Sequence, residues 1–267
     1  MAKLLEFVRQ HNIHTVLLDA AGTIYDDKGP YEGVVEVLHT LQNDGVNFLL
    51  ATNNTTTSLP GIKAYMANFD IEMEEDHIIS SGLVLRDVPY LKERVAGKKV
   101  YVVGSEGSRQ YVSLADGLIV EDVEDADVVV FASSFPIENE LWITAVANEW
   151  RNRSDLDLIC INPDRYVQHQ KAPYPVIGFY VDQFIEETGA LVEFVGKPDR
   201  SFSILVENHL KSLDIPMDDR VIFCDDNPYN IRQMSVDLPL KAIHLRDTGL
   251  SFDSVDFGLP YQWAALI

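Results

Sequence analysis

The chain has 267 residues, enough for one large domain or two smaller ones with cores of their own, and its 46% hydrophobic and 24% charged content excludes a disordered polymer. A formal charge of −21 excludes nucleic-acid binding by broad phosphate neutralisation, which needs a basic face. It also means that a phosphorylated small molecule must be shielded from the protein's own field by local cations, a lysine or a metal ion.

Residues 1–12 carry too short an apolar stretch for a secretory signal and read as a short helix. No apolar run approaches the ~18 residues that a membrane span needs. Residues 15–19 (TVLLD) form a β-branched and leucine run halted by Ala-Ala-Gly, the pattern of a buried parallel strand. Val34, Val35, Val37, Leu38 and Leu41 then recur at helical spacing, and residues 47–52 (NFLLAT) give a second strand, cut off by the polar run 53–58. Strand, helix and strand with short turns make a βαβ unit, hence a parallel sheet with right-handed crossovers.

The middle has its own series of strands, at 99–104, 126–132 and 156–161, with a helix over 138–152. Beyond it, 191–195 reads as a strand, 201–213 as a helix, 220–225 (RVIFCD) as a strand, and 241–245 as a last strand after a helix near Ile231. The expected architecture is therefore α/β, a Rossmann-like doubly wound parallel sheet core made of 1–81 and 185–267. An inserted α/β domain over 82–184 lies between the turn-rich joints Ser80-Ser81-Gly82 and Pro173/Pro175. The two cysteines, Cys160 and Cys224, are far apart without metal-ligand spacing and read as reduced core thiols of a cytoplasmic protein.

Polar residues gather where the apolar strands stop. Asp19 ends the first, Thr52 the second and Asp225-Asp226 the strand from Arg220, while Lys197 follows Val195. The carboxyl ends of strands form the ligand crevice of an open α/β sheet, so residues 19, 52, 197 and 225 are expected to converge. Asp19 suits a carboxylate nucleophile that forms an aspartyl-phosphate. Asp225 suits a hard oxygen ligand for Mg²⁺, shared with Asp19 and a backbone carbonyl. Thr52 and the amides of Asn53 and Asn54 lie at a strand-to-helix turn able to donate to phosphate oxygens, and Lys197 supplies compact positive charge. Taken singly, each has a plainer reading as a helix cap, turn or surface loop.

In this order the set resembles the haloacid dehalogenase superfamily. Asp19-Ala20-Ala21-Gly22-Thr23 is similar to its first motif, Thr52 to its second, Lys197 to its third and Asp225-Asp226 to its fourth. The long insert, with Thr52-Asn53-Asn54, residues 101–104 (YVVG), Asn162-Pro163-Asp164 and residues 195–198 (VGKP), resembles the large cap of the NagD-like phosphatases. The resemblance implies Mg²⁺ held by Asp19, the Ala21 carbonyl and Asp225, with Asp226 and Asn230 in support. It also implies a small phosphorylated metabolite as substrate and a cap that selects it, and suggests homodimers formed through that cap. Asp164, in a polar loop after an expected strand, is the candidate selector.

One departure bears on chemistry. Family phosphatases usually carry a second Asp two residues after the nucleophile, where this chain has Ala21. That Asp protonates the leaving oxygen and then activates water, work worth about 10²–10⁴-fold in rate. Three readings stay open: a weakened phosphatase, a catalytically silent phosphometabolite-binding protein, and a phosphonate or haloacid hydrolase variant. The 33 positions from Asp19 to Thr52 leave no room for the cap that carries the phosphonate enzymes' lysine. Haloacid dehalogenases need no metal, so the acidic pair at 225–226 argues against them.

Overall fold

The computed structural model describes residues 2–133, 136–169, 172–245 and 255–256. Helix α1 (Ala2–Gln10) leads into β1 (Thr15–Leu18), whose four residues are all buried, as expected of a strand covered on both faces. A small hairpin of β2 (Tyr25–Asp26) and β3 (Gly29–Pro30) precedes α2 (Val34–Asn43), which buries Val34, Val37, Leu38 and Leu41 along one stripe. Strand β4 (Asn47–Thr52), α3 (Leu59–Ala67) and β5 (Ile78–Ser80) follow.

The intervening stretch begins with α4 (Val84–Asp87) and α5 (Pro89–Val95), then runs through β6 (Lys99–Val103), α6 (Glu106–Leu114), β7 (Leu118–Val120) and β8 (Val128–Phe131). It continues with α7 (Pro136–Asn152), β9 (Asp157–Cys160), the hairpin β10 (Tyr166–His169) and β11 (Ala172–Pro175), α8 (Ile177–Thr188) and β12 (Glu193–Phe194). The chain returns through α9 (Arg200–Ser212), β13 (Val221–Asp225), α10 (Pro228–Asp237), β14 (Lys241–Leu245) and β15 (Val255–Asp256).

Two sheets result. The first has the order β15-β14-β13-β1-β4-β5, parallel except at β15, and the second has β12-β9-β8-β6-β7, parallel throughout. In the first sheet the chain leaves β1 towards β4 and later returns on its other side as β13, so the strand order reverses at β1, where ligand crevices form. Both cysteines are buried and free. No helix among the described residues is long and apolar enough to cross a membrane.

Two sequence expectations need correction. Residues 191–195 were expected to be a core strand; only Glu193–Phe194 are extended, and they pair with β9 in the second sheet. Helix α8 runs unbroken across the expected return at 184/185, and the Pro173/Pro175 stretch is a hairpin strand, not a joint. Proline is tolerated there because β11 has β10 on one side only.

Alternation along the strands of the second sheet divides the packing. Val100, Val102, Val128, Val130, Ile159 and Ile161 join the buried cluster that also holds the first sheet's core. Val103, Val129, Phe131, Leu158 and Cys160 face the other way, into a cluster with Ile177, Val181 and Phe184 of α8. The two sheets therefore share one continuous apolar cluster.

Polar contacts reinforce that junction. The carbonyls of Asn54, Thr55 and Thr57 accept from Ser80 Oγ (2.7 Å), Ser108 Oγ (2.7 Å) and Tyr111 Oη (2.8 Å), and that of Thr56 accepts from Ser105 Oγ. Gly107 permits the approach, since a Cβ there would sit 2.5 Å from the Thr56 carbonyl oxygen and 2.8 Å from the Ser58 nitrogen. Glycine to alanine in a helix normally gains about 0.5–1 kcal/mol. Here a clash with backbone outweighs it, and Gly107→Ala is expected to lower stability by roughly 1–3 kcal/mol. Urea unfolding checks this, and an unchanged or raised midpoint contradicts it.

Candidate active site

Strand register builds the site. Leu18 pairs with Cys224 on one side and Leu50 on the other, so the next residue, Asp19, comes level with Asp225 and just below Thr52. The Asp19 amide donates to the Cys224 carbonyl at 2.9 Å, extending the ladder by one rung. Lys197 enters from the loop after β12. Its ammonium donates to Asp19 Oδ1 at 2.5 Å and to Asp225 Oδ2 at 2.8 Å. The lysine side chain is 2% exposed and those of the two carboxylates 10% and 1%, so the triad is essentially dry. It lies over the rings of Phe202 and Phe223 at 5.9 and 5.7 Å, which adds cation–π attraction.

Asp225 is held from several sides. Asn230 Nδ2 donates to both of its oxygens (3.1 and 3.0 Å), and the Asn227 amide to Oδ1 at 2.8 Å. Asn227 also caps α10 by accepting from the Tyr229 amide. Burial raises the pKa of the Asp19 carboxyl well above the ordinary carboxylate range, with Asp225 and Asp226 adding to the effect and Lys197 opposing it. Asp226 is pushed up to about 7 by burial and by Asp225 beside it. Burial also pulls the Lys197 ammonium down, but Asp19 and Asp225 together outweigh it and hold the group above its usual value.

Three carboxylates therefore face one ammonium. One oxygen each of Asp19, Asp225 and Asp226 lies within 4.8 Å of the other two, the spacing of a divalent-cation site. Asn230 Oδ1 is buried without a hydrogen-bond partner beside this cluster. The Ala21 carbonyl takes none of the backbone hydrogen bonds among the described residues, whereas that of Ala20 takes three. All-oxygen donors, surplus negative charge and unspent acceptors fit a hard cation such as Mg²⁺.

The expected phosphate-binding turn is only partly free. The Asn54 amide donates to Thr52 Oγ1 at 3.1 Å, and Asn54 Oδ1 accepts from the amides of Thr56 and Thr57. What remains is the Thr52 hydroxyl proton and the Asn53 backbone N–H. The Asn53 side chain is committed to Lys197 and to Asp164. Asp164 is brought to the same crevice by an Asx turn in which Asn162 Oδ1 accepts from the Asp164 amide at 3.1 Å. Burial raises its pKa, against the pull of Asn53 and Lys197. Ala21 is exposed.

Sequence reasoning overlooked Tyr25. Its hydroxyl pairs with the Asn54 side chain, and burial together with the charge of Asp19 holds the phenol well above its usual pKa. Its ring stacks edge-on against Tyr65 at 5.1 Å. The only sequence signal was an aromatic six residues after Asp19, inside what reads as a turn.

Comparisons with known proteins bear on the fold and on the family that the chain resembles. Residues 16–116 match the haloacid dehalogenase-like hydrolase family. Over that stretch the chain is similar to the haloacid dehalogenase-like hydrolases. It is 25% identical over 241 residues to an acid sugar phosphatase of Staphylococcus saprophyticus, covering 90% of this chain and 88% of that protein. Its fold is similar to that of a glycerol phosphate phosphatase from Mycobacterium tuberculosis solved in complex with magnesium (TM-score 0.75, 20% identity, 91% of this chain and 70% of that one). It is likewise similar to NagD from E. coli (TM-score 0.70, 22% identity, 90% of each chain). These likenesses show an α/β fold similar to that of NagD.

Lys197→Met leaves two carboxylates buried at adjacent strand ends with no counter-charge. Breaking a buried ion pair from one side costs about 3–5 kcal/mol. Urea unfolding in the presence of a chelator is expected to show a loss of that size, and a loss under about 1 kcal/mol contradicts the burial argument.

Proposed function

We propose that this hydrolase is a Mg²⁺-dependent phosphatase that cleaves a small phosphorylated metabolite through an aspartyl-phosphate on Asp19. The observation that carries the reading is the buried Lys197 ammonium bonded to both Asp19 and Asp225 at the strand-order reversal.

Within this reading, an oxygen of Asp19 attacks phosphorus and the bond to the leaving oxygen breaks. Water then attacks the phosphorus of the acyl phosphate, releasing inorganic phosphate and restoring Asp19. Lys197 offsets the charge of the nucleophile and of the phosphoryl group as it transfers. Thr52 Oγ1 already accepts from the Asn54 amide, so its proton is free for a phosphoryl oxygen, alongside the Asn53 N–H. A divalent cation would be held by Asp19, the Ala21 carbonyl and Asp225, with Asp226 alongside. When bound it neutralises phosphate charge and orients the ester. The inserted unit acts as the cap, and Asp164 faces the part of the substrate beyond the phosphate. A carboxylate there favours hydroxyl-bearing substrates, in keeping with the sugar and glycerol phosphates in the names of similar proteins.

Ala21 cannot protonate a leaving alkoxide, which must take its proton from water. Its exposure leaves room for a carboxylate. The same residue also favours a second reading, a phosphometabolite binder without turnover. Ala21→Asp is expected to raise kcat on sugar or glycerol phosphates by about 10²–10⁴-fold, with a smaller gain on 4-nitrophenyl phosphate, whose leaving group departs unprotonated. A folded variant with no added activity across a phosphate-ester panel would favour the binder.

Metal use has a separate test. Mg²⁺ is expected to raise the melting temperature of the unaltered chain, and Asp225→Ala to abolish that rise. A metal shift that survives the substitution would sink the ligand assignment.

A further inference from the structure

Asn53 is 4% exposed, and its carboxamide makes three hydrogen bonds to residues distant in sequence. Its Oδ1 accepts from the Lys197 amide at 2.9 Å, and its Nδ2 donates to the Lys197 carbonyl at 2.9 Å and to Asp164 Oδ1 at 3.0 Å. Both amide hydrogens are thereby used. The network fixes the orientation of the group, because a flipped amide would set its nitrogen against an N–H and its oxygen against two oxygens.

The carboxamide thus pairs with Lys197 as one rung of a β-ladder would, on both backbone polar groups of a single residue. A lysine side chain has four rotatable bonds, so where its ammonium lies depends first on where its backbone is held. Gly196, at φ +102°, makes the pairing possible. A Cβ there would sit 3.0 Å from Asn53 Oδ1, 3.0 Å from Ser81 Cβ and 3.1 Å from Pro163 Cδ. Both crossings between the two sheets, at Ser81 and at Gly196, therefore converge on the Asn53 side chain together with the Asp164 loop. Ser81 Oγ donates to the Ile161 carbonyl at 2.6 Å, which pins that loop from the other side.

We infer that Asn53 is a positioning residue: its carboxamide fixes the backbone of Lys197 and, through Asp164, ties the placement of the catalytic ammonium to that of the cap loop. The inference rests on the phosphatase reading for what Lys197 does. A substrate that draws on Asp164 then acts on the same amide that holds Lys197, so cap engagement and charge placement are set together.

The test is a double-mutant cycle. Asn53→Asp keeps an acceptor for the Lys197 amide but sets a carboxylate against the Lys197 carbonyl and against Asp164. It is expected to lower kcat/KM on 4-nitrophenyl phosphate by roughly 10–100-fold. Asp164→Asn in the same chain restores a carboxylate–carboxamide pair with the roles exchanged. The double variant is expected to exceed the product of the two single effects by about fivefold or more. Orthovanadate affinity, measured in the presence of Mg²⁺, should follow the same order, and melting temperatures establish that each variant is folded. A side chain that only fills space would give no such recovery. Asn53→Asp within twofold of the unaltered chain overturns the inference, as does a double variant whose effect equals the product of the single ones. An unaltered chain that neither hydrolyses 4-nitrophenyl phosphate nor binds orthovanadate refutes the phosphatase reading before any variant is made, and the inference falls with it.

Discussion

Neighbouring strands of a parallel sheet lie about 4.8 Å apart, and the arrangement of this site starts from that spacing. A sheet that follows β1 with Asp19 and closes β13 with Asp225 forces two carboxylates together in a dry crevice. At an effective dielectric of 20 and about 5 Å, their repulsion is about 3 kcal/mol. One ammonium touching both contributes two attractions of about 6 kcal/mol each on the same scale, before the cost of removing all three charges from water. Lys197 therefore decides whether the sheet can end this way. The direct hydrogen bonds from Asn227 and Asn230 supply the rest of what buried Asp225 loses on leaving water.

The supporting structure is organised around delivering that lysine. Lys197 belongs to the loop by which the chain returns from the second sheet, so its position depends on the inserted unit being seated correctly. A continuous apolar cluster through one face of the second sheet does most of the seating, and alternation along β6, β8 and β9 divides that face from the one covered by α8. The acidic surface of the molecule matters less to this arrangement than the exclusion of water from its centre. Exposed ion pairs such as Arg9–Asp44 and Lys63–Glu74 are of the kind worth little each.

Much of this was legible in the sequence, for a physical reason. Buried parallel strands read as short apolar runs, and level strand ends in a common register turn the residue after each run into a member of one crevice; hence Asp19, Thr52 and Asp225 could be placed together, with Lys197 from the return loop. Contacts without local periodicity were not legible. Strand β12 is two residues long and exists only because β9 offers an edge. Helix α8 follows a proline-rich hairpin that imitates a linker. The side chain of Asn53 reaches partners 111 and 144 positions away, so its sequence neighbours suggested a phosphate turn. The engagement of Asn54 was hidden for a different reason, since an Asx-type cap on Thr56 and Thr57 and a phosphate-donating turn draw on the same residue types.

The capture of the Asn54, Thr55, Thr56 and Thr57 carbonyls by Ser80, Ser108, Ser105 and Tyr111 bears on how such enzymes recombine. Three of those four hydroxyls belong to α6 or the residue that caps it, within the inserted unit, although the loop they hold comes straight from β4. An exchange of the inserted unit between relatives at the joints near residues 81 and 196 would replace α6 with the incoming sequence and strand carbonyls beside the crevice of Asp19 and Asp225. A recombinant made at those joints therefore has to match α6 to the loop it holds, because β6 and α6 cannot be left behind without splitting the second sheet between β6 and its neighbours β7 and β8.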